Sequence, residues 1–185
     1  MKSLSTIILS IILIMIVSSC KKMFEDEELS MERVDYTGTE LRTDGYYYFR
    51  NRYVYDGKQF DQIKHRFLFR NGVSTDGGVC DYSVMGMVED NIRNGTYYDK
   101  LKGNKSRWMV FRISDNTIEF EGWTWGDGGD YKLSTFREYG EIINDTTFRL
   151  IKEDYKGKVI EYLPDVIYHF KQFSPKPDST NSFIK

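Results

Sequence analysis

The sequence has no alanine, and its 185 residues include only 3 prolines, 2 cysteines and 2 histidines. Alanine is the best helix former, so its absence, together with few leucines, argues against a helical bundle. A surplus of basic charge is also missing, since the formal net charge at pH 7 is −2. Without that surplus there is no electrostatic footprint for nucleic acid, and we expect no nucleic-acid partner.

One long apolar run is present, from Ile7 to Val17, with a single serine inside it. A helix of this length spans about 16 Å, roughly half of a bilayer core, so the run is too short for a transmembrane helix. Lys2 and the amino terminus place positive charge before the run. This order of charged and apolar residues is typical of an export signal.

The residues that end this run, Val17-Ser18-Ser19-Cys20, resemble the lipobox of bacterial lipoproteins. The resemblance implies that residues 1–19 are a signal peptide, that the sulfur of Cys20 carries a diacylglycerol and that its new amino group is acylated. Two or more acyl chains make such an attachment stable, so the membrane is the expected partner of Cys20. An ordinary secretory signal is the alternative, although Val17 and Ser19 fit its small-x-small cleavage site only loosely.

Residues 20–40 are expected to form an acidic tether. The run Glu25 to Glu28 resembles the acidic tag that directs lipoproteins to the cell surface in some Gram-negative groups. A block of like charge that stays extended and solvated is the alternative. Lys21 follows Cys20, where an aspartate is associated with retention at the inner membrane. We therefore expect an outer-membrane lipoprotein of a Gram-negative bacterium that faces either the periplasm or the exterior.

The rest of the chain is rich in aromatic residues, with 14 Tyr, 12 Phe and 3 Trp. Aromatic and β-branched residues favour strands. Because Cys20 is committed to lipid, Cys80 has no partner for a disulfide, and the domain has to be stabilised by its core.

Turn signals divide residues 41–173 into about eight to ten short strands. The signals are Asn71-Gly72, Ser114-Asp115-Asn116, Asn144-Asp145 and Lys156-Gly157. The sequence predicts an all-β antiparallel meander curled into a sandwich or barrel. Between Glu89 and Lys105 we expect a long loop with one helical turn near 97–101, and residues 174–185 are expected to be a polar tail.

Two runs, Leu41–Tyr47 and Tyr139–Phe148, resemble the lipocalin-like lipoproteins of Gram-negative bacteria. The turn at Asn71-Gly72 and the strand that opens at Trp108 add to the resemblance. It implies an eight-stranded antiparallel barrel or half-barrel and carries no set of catalytic residues. The chain differs from true lipocalins because Gly-x-Trp is not near the first strand and no long C-terminal helix is evident.

Few residues carry chemistry. His65 and His169 are isolated, so no metal site and no cofactor are predicted. Cys80 lacks a reactive signature and is expected to be an inert core residue. Asp127 and Asp130 flank two glycines, where a tight turn is favoured over a calcium site.

The aromatic residues are the remaining signal, because they occupy both faces of the predicted strands. Tyr46 and Tyr48 lie opposite Tyr47 and Phe49. We expect non-enzymatic binding of a small apolar ligand in the barrel, with these lining candidates: Tyr46, Tyr48, Trp108, Trp123 and Trp125. The alternatives are an accessory lipoprotein that binds a protein or glycan through an aromatic surface, and aromatic residues that only fill a core. A hydrolase is disfavoured, because no nucleophile is paired with a base.

Overall fold

In a computed structural model, the protein is described over residues 25–126 and 132–185. Eight antiparallel strands form a meander in which each strand pairs with the next and the last returns to the first, giving a closed barrel. The strands are β1 (Gly45–Tyr55), β2 (Lys58–Leu68), β3 (Val73–Asp81), β4 (Trp108–Ser114), β5 (Thr117–Trp125), β6 (Leu133–Asn144), β7 (Thr147–Tyr155) and β8 (Lys158–Gln172). The all-β antiparallel prediction is confirmed, and the barrel is consistent with a lipocalin-like architecture. Cys20, Asp127 and Asp130 lie outside the described residues.

β8 is one continuous strand, although Pro164 divides the sequence that forms it. The pairing register between β7 and β8 shifts just after Leu150, so Val166 pairs with Leu150 while Glu161 pairs with Lys152. Pro164 falls in this irregular stretch. Proline lacks the N–H that a regular ladder needs, which explains why it is tolerated there.

Helices connect β3 to β4, where the sequence predicted a long loop with one helical turn. They are α1 (Met85–Arg93) and α2 (Thr96–Lys102). The 3-10 turn Tyr82–Val84 precedes α1, and a second 3-10 turn, Lys105–Arg107, precedes β4. The buried face of α1 carries Met85, Glu89 and Ile92, so an acidic residue interrupts its apolar period. Because of this interruption, the hydrophobic periodicity of the sequence does not predict the helix.

The barrel has a closed end and an open end. At the closed end lie the short turns that follow β2, β4 and β6, covered by Tyr36 and Leu41. The hydroxyl of Tyr36 accepts a hydrogen bond from the Leu41 N–H at 2.7 Å. At the open end lie the tips of the β1–β2 and β7–β8 hairpins. β1 pairs with β8 only from Gly45 to Tyr48, so these two hairpins separate toward the open end.

The inner face of the barrel is packed with aromatic rings in its closed half. Phe148 stacks on Tyr168 with 5.0 Å between ring centroids, and Tyr47 lies 5.1 Å from Phe148. Other buried members of this inner core are Leu68, Met109, Phe111, Ile118, Phe120 and Leu150. An eight-stranded barrel is just wide enough to be filled by side chains, and its closed half is filled in this way.

The outer face of the barrel carries a second core. Its strand residues include Tyr46, Ile63, Phe67, Trp108, Val110 and Trp123. Met85, Ile92 and Leu101 from the helices cover part of this face, and Met31, Phe173 and Ile184 from the two ends of the chain cover the rest. Strands that are apolar on both faces therefore find packing partners on both sides.

Residues 25–41, the N-terminal strap, are docked on the barrel and do not form the extended tether that was expected. Asp26 accepts a hydrogen bond from the Leu133 N–H at 2.8 Å and pairs with Lys105 at 3.0 Å. Glu27 accepts from the Thr135 N–H at 2.9 Å. Because the acidic residues bind backbone donors of the wall, the strap is part of the domain from Asp26 onward.

The C-terminal segment, expected to be a polar tail, also packs on the barrel. Phe173 and Ile184 are buried in the outer core. The ammonium group of Lys176 donates to the carbonyl of Leu68 at 2.6 Å and lies over the ring of Phe69. Burial lowers the pKa of Lys176 to about 8.

The docking of the strap predicts different effects for two adjacent acidic residues. Glu27→Ala removes the acceptor of the Thr135 N–H, whereas Glu28 is exposed. Losing a hydrogen bond of this kind costs about 1 kcal/mol, so amide exchange in residues 25–31 should become roughly fivefold faster in Glu27→Ala. Hydrogen-exchange mass spectrometry checks this, with Glu28→Ala as the matched control. Equal exchange in the two variants would contradict the docking.

Candidate functional site

A cavity of about 310 Å³ lies at the open end of the barrel. Its walls carry charged, hydroxyl and aromatic side chains from β2, β3, β5, β6 and β7 and from the 3-10 turn before β4. The lining residues are Lys64, Asp76, Ser106, Arg107, Trp123, Thr124, Trp125, Phe136, Glu138 and Glu153. Four of the charged residues, Lys64, Asp76, Glu138 and Glu153, come from strand positions that alternate with the outer core, which places them on the inner face, and Arg107 comes from the 3-10 turn.

One ion pair joins neighbouring strands of this wall, and a second crosses the lumen below it. Lys64 on β2 lies 3.0 Å from the carboxylate of Asp76 on β3. Arg66 donates from Nη2 to Glu138 Oε2 at 2.7 Å, across the lumen from β2 to β6. Arg66 is fully buried and Glu138 is 2% exposed, so this pair is shielded from water.

Arg66 lies where the charged and apolar halves of the lumen meet. Its guanidinium carbon lies 4.2 Å from the ring centroid of Phe120 and 5.2 Å from that of Tyr168. These rings belong to the inner core below, while Glu138 also lines the cavity above. Burial alone would lower the pKa of Arg66, but the negative charge of Glu138 raises it. The guanidinium of Arg66 therefore stays protonated.

In the Lys64–Asp76 pair too, the charge of each partner opposes the effect of burial on the pKa of the other. Burial alone would raise the pKa of the Asp76 carboxyl, but the positive charges of Lys64 and Arg66 outweigh burial and lower that pKa. Burial would lower the pKa of Lys64, and the charge of Asp76 raises it instead. Both partners are therefore ionised at neutral pH.

Several buried polar atoms on the inner face have no hydrogen-bond partner in the part of the chain that the structure describes. They are Arg66 Nε and Nη1, Ser74 Oγ, Ser134 Oγ, Tyr155 Oη and Tyr168 Oη. Buried polar atoms are nearly always hydrogen-bonded, because a buried polar atom without a hydrogen bond costs about 1–3 kcal/mol of stability. These atoms are available to water or to a polar ligand within the lumen.

Local backbone geometry explains how Asp76 reaches the cavity. The Asp76-Gly77-Gly78 run is part of β3. A side chain at Gly77 would collide with the ring of His65, and Gly78 adopts a positive φ of 77° beside the guanidinium of Arg107. The carboxylate of Asp76 accepts from the Gly78 N–H at 2.7 Å. The two glycines thus position a carboxylate in the lumen.

The predicted ligand-contact residues Tyr46 and Tyr48 lie on the outer face of β1. Tyr46 is buried, and its hydroxyl donates to Glu89 of α1 at 2.6 Å. Both tyrosines line a groove of about 430 Å³ with Tyr82 and Met85, outside the barrel. They therefore do not line the lumen.

The three tryptophans, also predicted ligand contacts, have separate environments. Trp108 is fully buried on the outer face and donates from Nε1 to the Leu101 carbonyl at 3.0 Å. Trp123 donates to the Glu27 carbonyl at 2.6 Å and holds the strap. Trp123 and Trp125 contribute to the cavity wall beside Thr124, and Trp125 is 62% exposed. The structure thus brings two of the five predicted residues to the cavity.

The histidines and the cysteine lie away from the cavity wall. His65 is buried on the outer face, with Nε2 at 2.7 Å from the Tyr97 hydroxyl, whereas His169 is exposed. Cys80 is half-buried, and burial raises the pKa of its thiol. Across residues 25–126 and 132–185, no three His, Cys, Asp or Glu side chains converge as a metal site.

Reasoning from sequence missed Lys64, Arg66, Asp76, Glu138 and Glu153 as members of one site. The available signal was a charge at inner-face positions of strands whose other inner positions are apolar. Recognising it requires knowing which face is inner, and both faces of these strands are rich in apolar residues.

Comparison of the chain with models of protein families, with curated proteins and with solved structures gives no match. None of the helices in the described ranges is long and apolar enough to span a bilayer. The class of the protein is therefore defined by its fold and site: a closed eight-stranded antiparallel barrel with a charged cavity at its open end.

The buried ion pair predicts strong non-additivity of substitutions. Arg66→Met or Glu138→Leu alone strands a buried charge and should lower the free energy of unfolding by about 3–5 kcal/mol. The double variant leaves no unpaired charge and should recover most of that loss. Urea denaturation of all four proteins measures the coupling. Single variants that each cost under about 1 kcal/mol would contradict a shielded pair.

His65 predicts a pH dependence of stability. Burial lowers the pKa of folded His65 from 6.5 to about 4. The unfolded chain takes up the proton first as the pH falls, so stability should decrease between pH 6.5 and 4, by about 3 kcal/mol in total.

His65→Gln should remove this component of the pH dependence, because glutamine does not titrate. His169→Gln is the control, since His169 is exposed and its substitution should leave the profile unchanged. Denaturation curves across this pH range make the comparison. An unchanged profile in His65→Gln would exclude His65 as the source.

Proposed function

We propose that this chain is a lipid-anchored cell-envelope protein that binds a small ligand with charged groups in the open end of its barrel. It acts by binding and does not transform the ligand. The observation that carries the proposal is the cavity in which Lys64, Arg107, Asp76, Glu138 and Glu153 converge above the buried Arg66. The anchor rests on the resemblance of residues 17–20 to a lipobox, and the proposed location is the outer membrane of a Gram-negative bacterium.

The charges of the site indicate the chemistry of the ligand. Cationic and anionic side chains are both present and are paired with one another, so the site offers hydrogen-bond donors and acceptors at fixed positions. A zwitterion or a polar molecule with both kinds of group matches such a wall. Phe136 and Trp125 add aromatic surface for an apolar portion of the ligand.

A wholly apolar ligand, the expectation from sequence, is less well supported. The apolar half of the lumen is occupied by stacked rings, including Phe148 and Tyr168. Placing an apolar molecule in the remaining cavity would remove water from charged groups without replacing its hydrogen bonds, which is unfavourable.

An accessory role remains the second candidate function. Exposed aromatic side chains at the open end, notably Tyr55 at 70% and Trp125 at 62% exposure, offer surface for a glycan or a protein. In that case the cavity would be part of an interface and would not enclose a ligand.

Native mass spectrometry tests the cavity directly. The lipidated protein, extracted from membranes in detergent, is expected to retain a small molecule. Thr124→Phe should abolish retention, because Thr124 lines the cavity and a ring there fills it. Thr117→Phe, on the same strand but exposed at the closed end, is the matched control. Equal retention by both variants would contradict binding in the cavity.

Four probes of similar size then separate the ligand classes. They are 6-aminohexanoate, hexanoate, hexylammonium and hexanol, each titrated by calorimetry. We expect the zwitterion to bind at least about tenfold more tightly than hexanol, a difference of about 1.4 kcal/mol. Tighter binding of hexanol would restore the apolar hypothesis. A protein that is empty after extraction and binds none of the probes would refute the binding function.

A further inference from the structure

The N-terminal strap enters the barrel wall at the open end. Asp26 binds the N–H of Leu133, the first residue of β6, and Glu27 binds Thr135. The strap then passes Glu121, which accepts from the Ser30 hydroxyl at 2.7 Å, and reaches Arg70 at the closed end. The chain that precedes Asp26 therefore joins the domain beside the cavity.

The distance from the anchor is short. Cys20 and Asp26 are six residues apart, so a fully extended chain between them spans about 20 Å at most. A domain fixed at Asp26 and attached through Cys20 has to keep this corner near the membrane. The closed end lies at the far end of strands such as β6, whose 12 residues rise about 40 Å.

The open end also carries a rim of exposed apolar side chains. They are Tyr53, Val54, Tyr55, Trp125, Val159 and Ile160. Three of them are highly exposed: Val54 at 71%, Tyr55 at 70% and Trp125 at 62%. They come from the two hairpin tips and from the end of β5, at the same end of the barrel as the cavity.

We propose that the open end faces the bilayer that holds the lipid of Cys20, with the rim in the interfacial layer. This inference rests on the lipid anchor of the proposed function. Trp and Tyr favour the membrane interface, because their rings are apolar and their N–H or O–H groups remain near water. Aliphatic neighbours such as Val54 and Ile160 add buried apolar area.

The hairpin tips carry cationic side chains that suit a bilayer surface, together with acidic ones. Arg52 and Lys58 lie near the β1–β2 tip with Asp56 and Asp61, and Lys156 and Lys158 lie near the β7–β8 tip with Asp154. Long cationic side chains extend toward lipid headgroups while their stems stay in apolar surroundings. The charged cavity then opens toward headgroups, and its ligand enters from the membrane surface.

Two single-cysteine labels test this orientation. In the full-length chain with Cys80→Ser, a fluorescent probe is attached at Val54→Cys in the rim or at Ser114→Cys, an exposed residue at the closed end. The lipidated proteins are placed in phosphatidylethanolamine–phosphatidylglycerol vesicles with nitroxide-labelled acyl chains. The Val54 probe should be strongly quenched and blue-shifted, and the Ser114 probe should be unaffected.

A matched pair of substitutions tests the contribution of the rim. Trp125→Asp should reduce quenching of the Val54 probe. Ile143→Asp, at a similarly exposed apolar residue near the closed end, should leave it unchanged. Equal effects of the two substitutions would contradict rim insertion.

The outcomes separate this inference from the proposed function. Mass spectrometry that finds no acyl chains on Cys20 refutes the anchor itself. Acylated protein whose Val54 probe stays unquenched, or whose Ser114 probe is quenched equally, overturns only the orientation. That result would favour a protein partner for the rim.

Discussion

The buried ion pair between Arg66 and Glu138 is the interaction on which the division of the lumen depends. A guanidinium fully removed from water is stable only beside a counter-charge, and Glu138 supplies it from the opposite wall. Aromatic rings pack below Arg66, and the charged cavity begins above it. Replacing this pair with apolar residues would extend the packed core upward and remove the floor of the cavity. The pair therefore marks the boundary between the packed half of the lumen and the charged cavity.

The second constraint is that much of the wall is apolar on both faces. Tyr47 points inward while Tyr46 and Tyr48 point outward, so β1 needs packing partners on each side. A barrel alone covers only its inner face. The helices between β3 and β4, the N-terminal strap and the C-terminal segment cover the outer face, which explains why these connecting and terminal segments are ordered parts of the domain.

The sequence was sufficient to predict the class of fold, because turn residues and alternating aromatic residues act locally. The hairpins at Asp115-Asn116 and Lys156-Gly157 are of this kind. The site was not predictable in the same way. Which face of a strand is inner depends on the whole barrel, and the same alternation fits both choices. Lys64 and Arg66 lie close to Asp76 because β2 pairs with β3, with Arg66 directly opposite Asp76. From sequence alone, charged residues at such positions are expected to face solvent, because the position of the lumen is not known.

The acidic run near the amino terminus shows how one pattern can serve two physical roles. Its length and charge indicate either an extended tether or a surface tag. Hydrogen bonding from Thr135 lowers the pKa of Glu27, and hydrogen bonding from Leu133 together with Lys105 lowers that of Asp26 despite burial. Their carboxylates are therefore already engaged by the wall of the barrel. The same two hydrogen bonds place the start of the strap beside the open end of the barrel.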